Sequence, residues 1–127
     1  MHLYYHLLYL ERCKRRCDIL IVGVNSDRSV TLVKGDTRPV YHENHRVRLV
    51  DNSKHVDIAF IMDGIVGLCK FHSLVDVDVV FNNGQFGDDT IGAEKPGVEL
   101  IIVPNIKNCM STTAFISQIL ASNNGKD

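Results

Sequence analysis

The stretch from Asp18 to Pro39 constrains the fold more than any other part of the sequence. Ile19 to Val24 holds five apolar residues in six positions, interrupted only by Gly23. A short apolar run rich in β-branched residues is the pattern of a strand buried on both faces. Asn25, Ser26 and Asp27 follow, a polar cluster suited to ending a strand and capping a helix. A short helix over Arg28–Val33 comes next, then Lys34-Gly35 and the turn pair Arg38-Pro39. Strand, polar turn, short helix and basic loop make one unit of a parallel α/β fold. In such folds the working groups collect at the carboxyl ends of the strands. Asn25 to Arg38 is therefore placed at the working end, with Lys34 and Arg38 as cations for an anion.

The same alternation runs along the chain. Leu3, Leu7, Leu10, Cys13 (or Lys14) and Cys17 recur at three- and four-residue steps and predict a helix over Leu3–Cys17. Arg12, Lys14, Arg15 and Arg16 crowd its end, where cations suit the helix dipole. His42 to Ser53 reads as a helix with Glu43 in its first turn and Val47 and Val50 facing inward. Val56 to Met62 reads as a strand closed by Asp63-Gly64, and Ile65 to His72 as a short helix. Val75 to Phe81 reads as a strand, with Asp76 and Asp78 on an exposed early portion. A Gly/Asn/Asp loop (Asn82 to Asp89), a helical turn (Ile91 to Lys95) and a strand (Val98 to Val103) follow. Ser111 caps a last helix, Thr112 to Leu120, ahead of a polar tail. The pattern is α/β but starts on a helix, where a parallel α/β domain usually starts on a strand.

A chain of 127 residues at 45% hydrophobic can bury one core, so one domain over 1–127 is expected. Fourteen basic and fifteen acidic residues leave a net charge of −1, which gives no electrostatic basis for general nucleic-acid binding. No apolar run has the length of a membrane span, no signal peptide is recognisable, and a cytoplasmic location is expected. Cys13, Cys17, Cys69 and Cys109 lack disulfide-scaffold spacing and are read as reduced thiols. Cys13 and Cys17 are too few ligands for zinc and fit small buried positions. The spacings of His42, His45, His55 and His72 match no standard zinc site, so no metal site is expected.

Four segments, taken in order, resemble the cytidylyltransferase-like nucleotidyltransferases. His6 and the helix through Lys14 resemble the second His of the family's His-x-Gly-His motif. Asp18 to Val30, with Lys34-Gly35 and Arg38-Pro39-Val40, resembles the second strand and its loop. Glu43-Asn44-His45-Arg46, with Val56-Asp57, resembles the Glu-x-x-Arg helix and the next strand. Ser111-Thr112-Thr113 resembles the Ser-Thr-Thr motif opening the last helix, and Ile91 to Glu94 resembles the ADP-heptose branch. The resemblance implies a Rossmann-like parallel sheet flanked by helices. It implies transfer of a nucleotidyl group from ATP or CTP to a sugar or polyol phosphate, with release of pyrophosphate. It gives His6 and Lys34 catalytic roles on the phosphates and makes Asn25, Asp27, Arg46, Ser111, Thr112 and Thr113 nucleotide-binding. Mg2+ accompanies the triphosphate, and homodimers are common among such proteins.

The sequence also departs from that family. Aligned on His6, the first motif His falls on Leu3 and the Gly on Tyr5, and Ile106 stands where the cytidylyltransferase branch has Arg. The family's first strand, ending in Gly-x-Phe-Asp, has no counterpart ahead of His6. An N-terminally shortened member is therefore expected, with the first central strand of the sheet missing. The alternative is a nucleotide-binding or assembly module of the same fold with impaired catalysis. By default, His6 is a core or surface histidine, Lys34 and Arg38 are solvated loop cations, Arg46 and Arg48 are helix-surface charges, and Ser111-Thr112 is a helix cap.

Overall fold

The computed structural model of the chain describes residues 3–84, 90–104, 117, 120 and 121. Helix α1 (Leu3–Lys14) leads into strand β1 (Ile21–Asn25), then helices α2 (Asp27–Lys34) and α3 (Glu43–Asp51). Strand β2 (Ile58–Met62), helix α4 (Gly64–Leu74) and strands β3 (Val79–Asn82) and β4 (Glu99–Ile102) follow. Of the expected last helix, residues 117 and 120 are described and helical, as is 121 beyond it; the remainder, with Ser111, Thr112 and Thr113, lies outside the described residues.

The strands form two parallel pairs. β1 lies beside β2 with Ile21 opposite Ile58 and Asn25 opposite Met62. β3 lies beside β4 with Val79 opposite Glu99 and Asn82 opposite Ile102. Among the described residues the pairs are not joined, so the expected sheet is divided in two. The two pairs still share one core: Val24 of β1 and Val103 beyond β4 cluster with Leu10 and Cys13 of α1 and Val50 of α3, while Phe81 and Ile101 pack at its margin.

Pairing also explains where the strands depart from expectation. β1 is half-buried on most of its length, not buried on both faces; among the described residues it has one strand partner. Ile19 lies outside it and is 65% exposed. The chain bends there to meet the Asp57 carboxylate, whose Oδ2 accepts the Leu20 N–H at 2.7 Å. The same oxygen accepts from Lys14 Nζ at 2.6 Å, and Lys14 also donates to the Asp18 carbonyl. The hydrogen bond from Lys14, then that from Leu20, holds the Asp57 carboxyl below its ordinary pKa. The end of α1 and the starts of both strands thus meet on one carboxylate. β3 begins at Val79, not Val75, because β4 offers its first partner at Glu99; Asp76 and Asp78 are exposed as expected.

The helices follow the predicted periodicity. α1 ends at Lys14, short of Cys17, and buries Leu10 and Cys13. Burial pushes the Cys13 thiol up to about 11, so it packs as a thiol. Cys13, Cys17 and Cys69 are free. α4 extends two residues past the expected His72 and stacks Phe71 on Phe60 of β2, with ring centroids 5.0 Å apart. Gly67 makes this approach possible: a Cβ there would lie 3.1 Å from the Met62 backbone carbon. No helix among the described residues is long and apolar enough to cross a membrane.

Residues 91–95 form a hydrogen-bonded turn, not a helix, and it sits on the end of α4. Lys95 Nζ donates to the His72 carbonyl. Gly92, at φ 91°, lies against the His72 ring, where any side chain would collide with the imidazole. His72 is only 6% exposed, and among the described residues its Nδ1 has no hydrogen-bond partner. Burial, then the Lys95 charge, lowers its pKa. The unfolded chain binds this proton near pH 6.5, so the neutral buried ring contributes most above that pH. Its contribution falls as pH drops from about 6.5 toward the lowered folded value. Urea denaturation at pH 7.5 and 5.5 should show a lower midpoint at the acid pH. His72→Phe, which keeps a ring under Gly92, should reduce that difference; an unchanged difference would exclude His72 as its source.

Candidate functional site

The carboxyl ends of β1 and β2 meet in a polar turn. The Ser26 N–H donates to the Met62 carbonyl at 2.8 Å, continuing the ladder one residue past Asn25. Ser26 then caps α2: its Oγ accepts the Ser29 N–H at 3.2 Å and donates to Asp63 Oδ1 at 2.7 Å. One buried hydroxyl therefore satisfies a helix amino terminus and ties it to the residue that closes β2. Arg28 NH1 lies 3.8 Å from the other Asp63 oxygen, on the exposed side.

Asp27 is the first residue of α2. Its N–H donates to Glu43 Oε1 at 3.1 Å, and its carboxylate accepts from Arg46 NH2 at 2.7 Å. His42 Nε2 stands 3.3 Å from Asp27 Oδ2. His42 Nδ1 accepts the Asn44 N–H and so caps α3, which puts the ring proton of neutral His42 on Nε2, facing Asp27. Desolvation opposes the Asp27 charge, but hydrogen bonds from Arg46 and the Glu43 backbone, with the nearby Arg46 charge, lower its pKa below the ordinary value.

Arg46 is the correction to the surface-charge default. Its side chain is 7% exposed. Nε donates to the Tyr41 carbonyl at 2.9 Å and NH1 to the Asn25 carbonyl at 2.7 Å, besides the bond to Asp27. Arg48, two residues on, is exposed. Asn25, Asp27 and Arg46 are thus brought together in one constellation.

The other expected residues are more dispersed. Lys34 is exposed at the carboxyl end of α2, about 11 Å along the helix from its first residue. Arg38 is half-buried; Thr31 Oγ1 donates to its carbonyl at 2.7 Å and folds the basic loop back on α2. His6 is exposed in the first half of α1. No group of three His, Cys, Asp or Glu among the described residues is placed to hold a metal. Glu43 and Asp63 were not among the expected site residues. The signal that finds them is the parallel pairing itself, which brings together the polar turns that end two neighbouring strands.

Ser26 offers a direct test of this turn. Ser26→Ala removes the cap acceptor and the donor to Asp63 and should destabilise the chain by about 1–2 kcal/mol in urea denaturation. A loss indistinguishable from zero would contradict the assigned cap.

A family model described as cytidylyltransferase-like matches residues 4–113. The bifunctional protein HldE of Hyphomonas neptunium is 35% identical over 117 residues, which cover 89% of this chain and 24% of that protein. The bifunctional protein HldE of Campylobacter jejuni (serotype O:6) is 35% identical over 116 residues, 90% of this chain and 24% of its own. That of Methylobacillus flagellatus is 33% identical over 91 residues, 70% and 18%. The chain spans about a quarter of the length of the first two of these relatives.

Proposed function

The chain belongs to the cytidylyltransferase-like family, and from that premise we propose that it is a nucleotidyltransferase acting on ATP or CTP. In the proposed reaction a phosphate oxygen of a sugar or polyol phosphate attacks the α-phosphorus of the triphosphate. A new P–O bond forms, the α–β bridge bond breaks, and pyrophosphate leaves with that bond's electron pair. Such chemistry asks the protein to position groups and neutralise charge.

The observation that carries the reading is the pinned turn Asn25–Asp27 at the carboxyl end of β1, where α/β folds take their ligands. Exposed Asn25 is available to the nucleotide, and exposed Lys34 to phosphate. His6, and Ser111, Thr112 and Thr113 outside the described residues, take the phosphate roles that family resemblance implies. The described residues do not form a metal cage. Mg2+ is accordingly proposed to enter with the triphosphate as part of the substrate, held largely by phosphate oxygens and water. No step is assigned to the ion.

A second reading, nucleotide binding without turnover, is favoured by Tyr5 at the motif's glycine position. Pyrophosphate release separates the two. With ATP or CTP, Mg2+ and a panel of sugar and polyol phosphates, the proposal expects release that requires both nucleotide and acceptor. His6→Ala should lower the rate about 100-fold or more, the scale set by losing a donor to developing charge. Nucleotide binding without pyrophosphate would establish the second reading; absence of binding would overturn both.

A further inference from the structure

We infer that Arg46 is a positioning residue: it serves the nucleotide through the Asn25–Asp27 turn and does not itself touch the phosphates. The inference rests on the nucleotide reading above and assigns Arg46 a different part in it. A guanidinium has five N–H donors, and three of those of Arg46 end on protein acceptors within 2.9 Å. The acceptors belong to three separate segments. Asn25 is the last residue of β1, Asp27 the first of α2, and Tyr41 closes the loop before α3. With 7% of its side chain exposed, the guanidinium presents little surface to a ligand. Its charge faces the Asp27 carboxylate, which further holds His42 Nε2 at 3.3 Å.

The geometry demands Arg. The three acceptors lie around a planar group whose donors point in fixed directions, and a Lys ammonium on a flexible stem cannot reproduce that fork. Anchoring the Asn25 carbonyl fixes the backbone that carries the exposed Asn25 side chain. Anchoring Asp27 fixes the first turn of α2 and, with Ser26, the direction in which its amides point. Anchoring the Tyr41 carbonyl fixes one end of the basic loop that holds Lys34 and Arg38. One side chain thereby sets three parts of the candidate site relative to one another.

The test compares wild type, Arg46→Lys, Asp27→Asn and the double variant by two measurements. The first is the affinity for a nucleoside, its monophosphate and its triphosphate, using adenosine and cytidine series with Mg2+. A positioning residue should weaken all three members of the bound series by a similar factor, about tenfold, the scale of one charge-assisted hydrogen bond. Asp27→Asn should have a comparable effect, and the double variant should lose little more than the larger single loss. The second measurement is amide hydrogen exchange without ligand, expected to accelerate over residues 25–31 and 41–46 in both single variants.

A loss that grows with phosphate number and vanishes for the nucleoside would make Arg46 a phosphate ligand and overturn the inference. Faster exchange with unchanged affinities would reduce it to a structural prop and also overturn it. If Arg46→Lys does not fold, Asp27→Asn carries the same comparison, because it breaks one of the three ties and leaves the guanidinium in place. If wild type binds none of the ligands, the nucleotide reading fails. Exchange then judges the positioning by itself, and unchanged exchange in Arg46→Lys would overturn that too.

Discussion

A guanidinium withdrawn from water has to find acceptors nearby, and the structure of this chain turns on where Arg46 finds them. Taking such a charge out of water costs several kcal/mol before any compensation. Here the cost is offset by a carboxylate and two backbone carbonyls, each from a different segment. At the opposite end of the same strand Lys14 and the Leu20 N–H share the Asp57 carboxylate. β1 is thus held at its start and at its finish by charge-assisted hydrogen bonds. This matters because, among the described residues, β1 belongs to a pair, not to a wide sheet. A two-stranded parallel pair has few ladder bonds with which to define its register. The clamps at its two ends, together with the shared core under α1, supply what a wider sheet would have given.

Much of this organisation was legible in the sequence, and the exceptions have definite causes. The order of helices and strands, the Ser26 region as a cap, and the closure of β2 at Asp63-Gly64 follow from periodicity and from turn and cap chemistry, which are local. The ends of the strands do not, because a strand extends only as far as its partner. That is why Ile19 fell out of β1 and residues 75–78 out of β3.

The site was legible in its residues more than in its arrangement. Asn25, Asp27 and Arg46 were singled out by resemblance and do come together. What spacing could not say is that Arg46 turns inward while Arg48 remains exposed, since both lie on one short helix beside apolar neighbours. Asp63 and Glu43 were invisible as partners because their contacts to Ser26 and Asp27 span 37 and 16 residues of sequence. His72 was read only as one histidine among several. Its burial depends on a glycine twenty residues later that leaves room for the ring. In each case the missing information was tertiary, a neighbour brought up by parallel pairing or by a turn.

The central claim is that a nucleotide binds at the carboxyl end of β1, on the turn that Arg46 pins. The most direct measurement is a titration of the 15N-labelled chain with Mg2+-ATP and Mg2+-CTP, following backbone amide shifts. The account predicts the largest changes at residues 25–29, 34–38 and 41–46, with the carboxyl half of α4 little affected. Saturable shifts confined to other elements, or no shifts with either nucleotide, would contradict it.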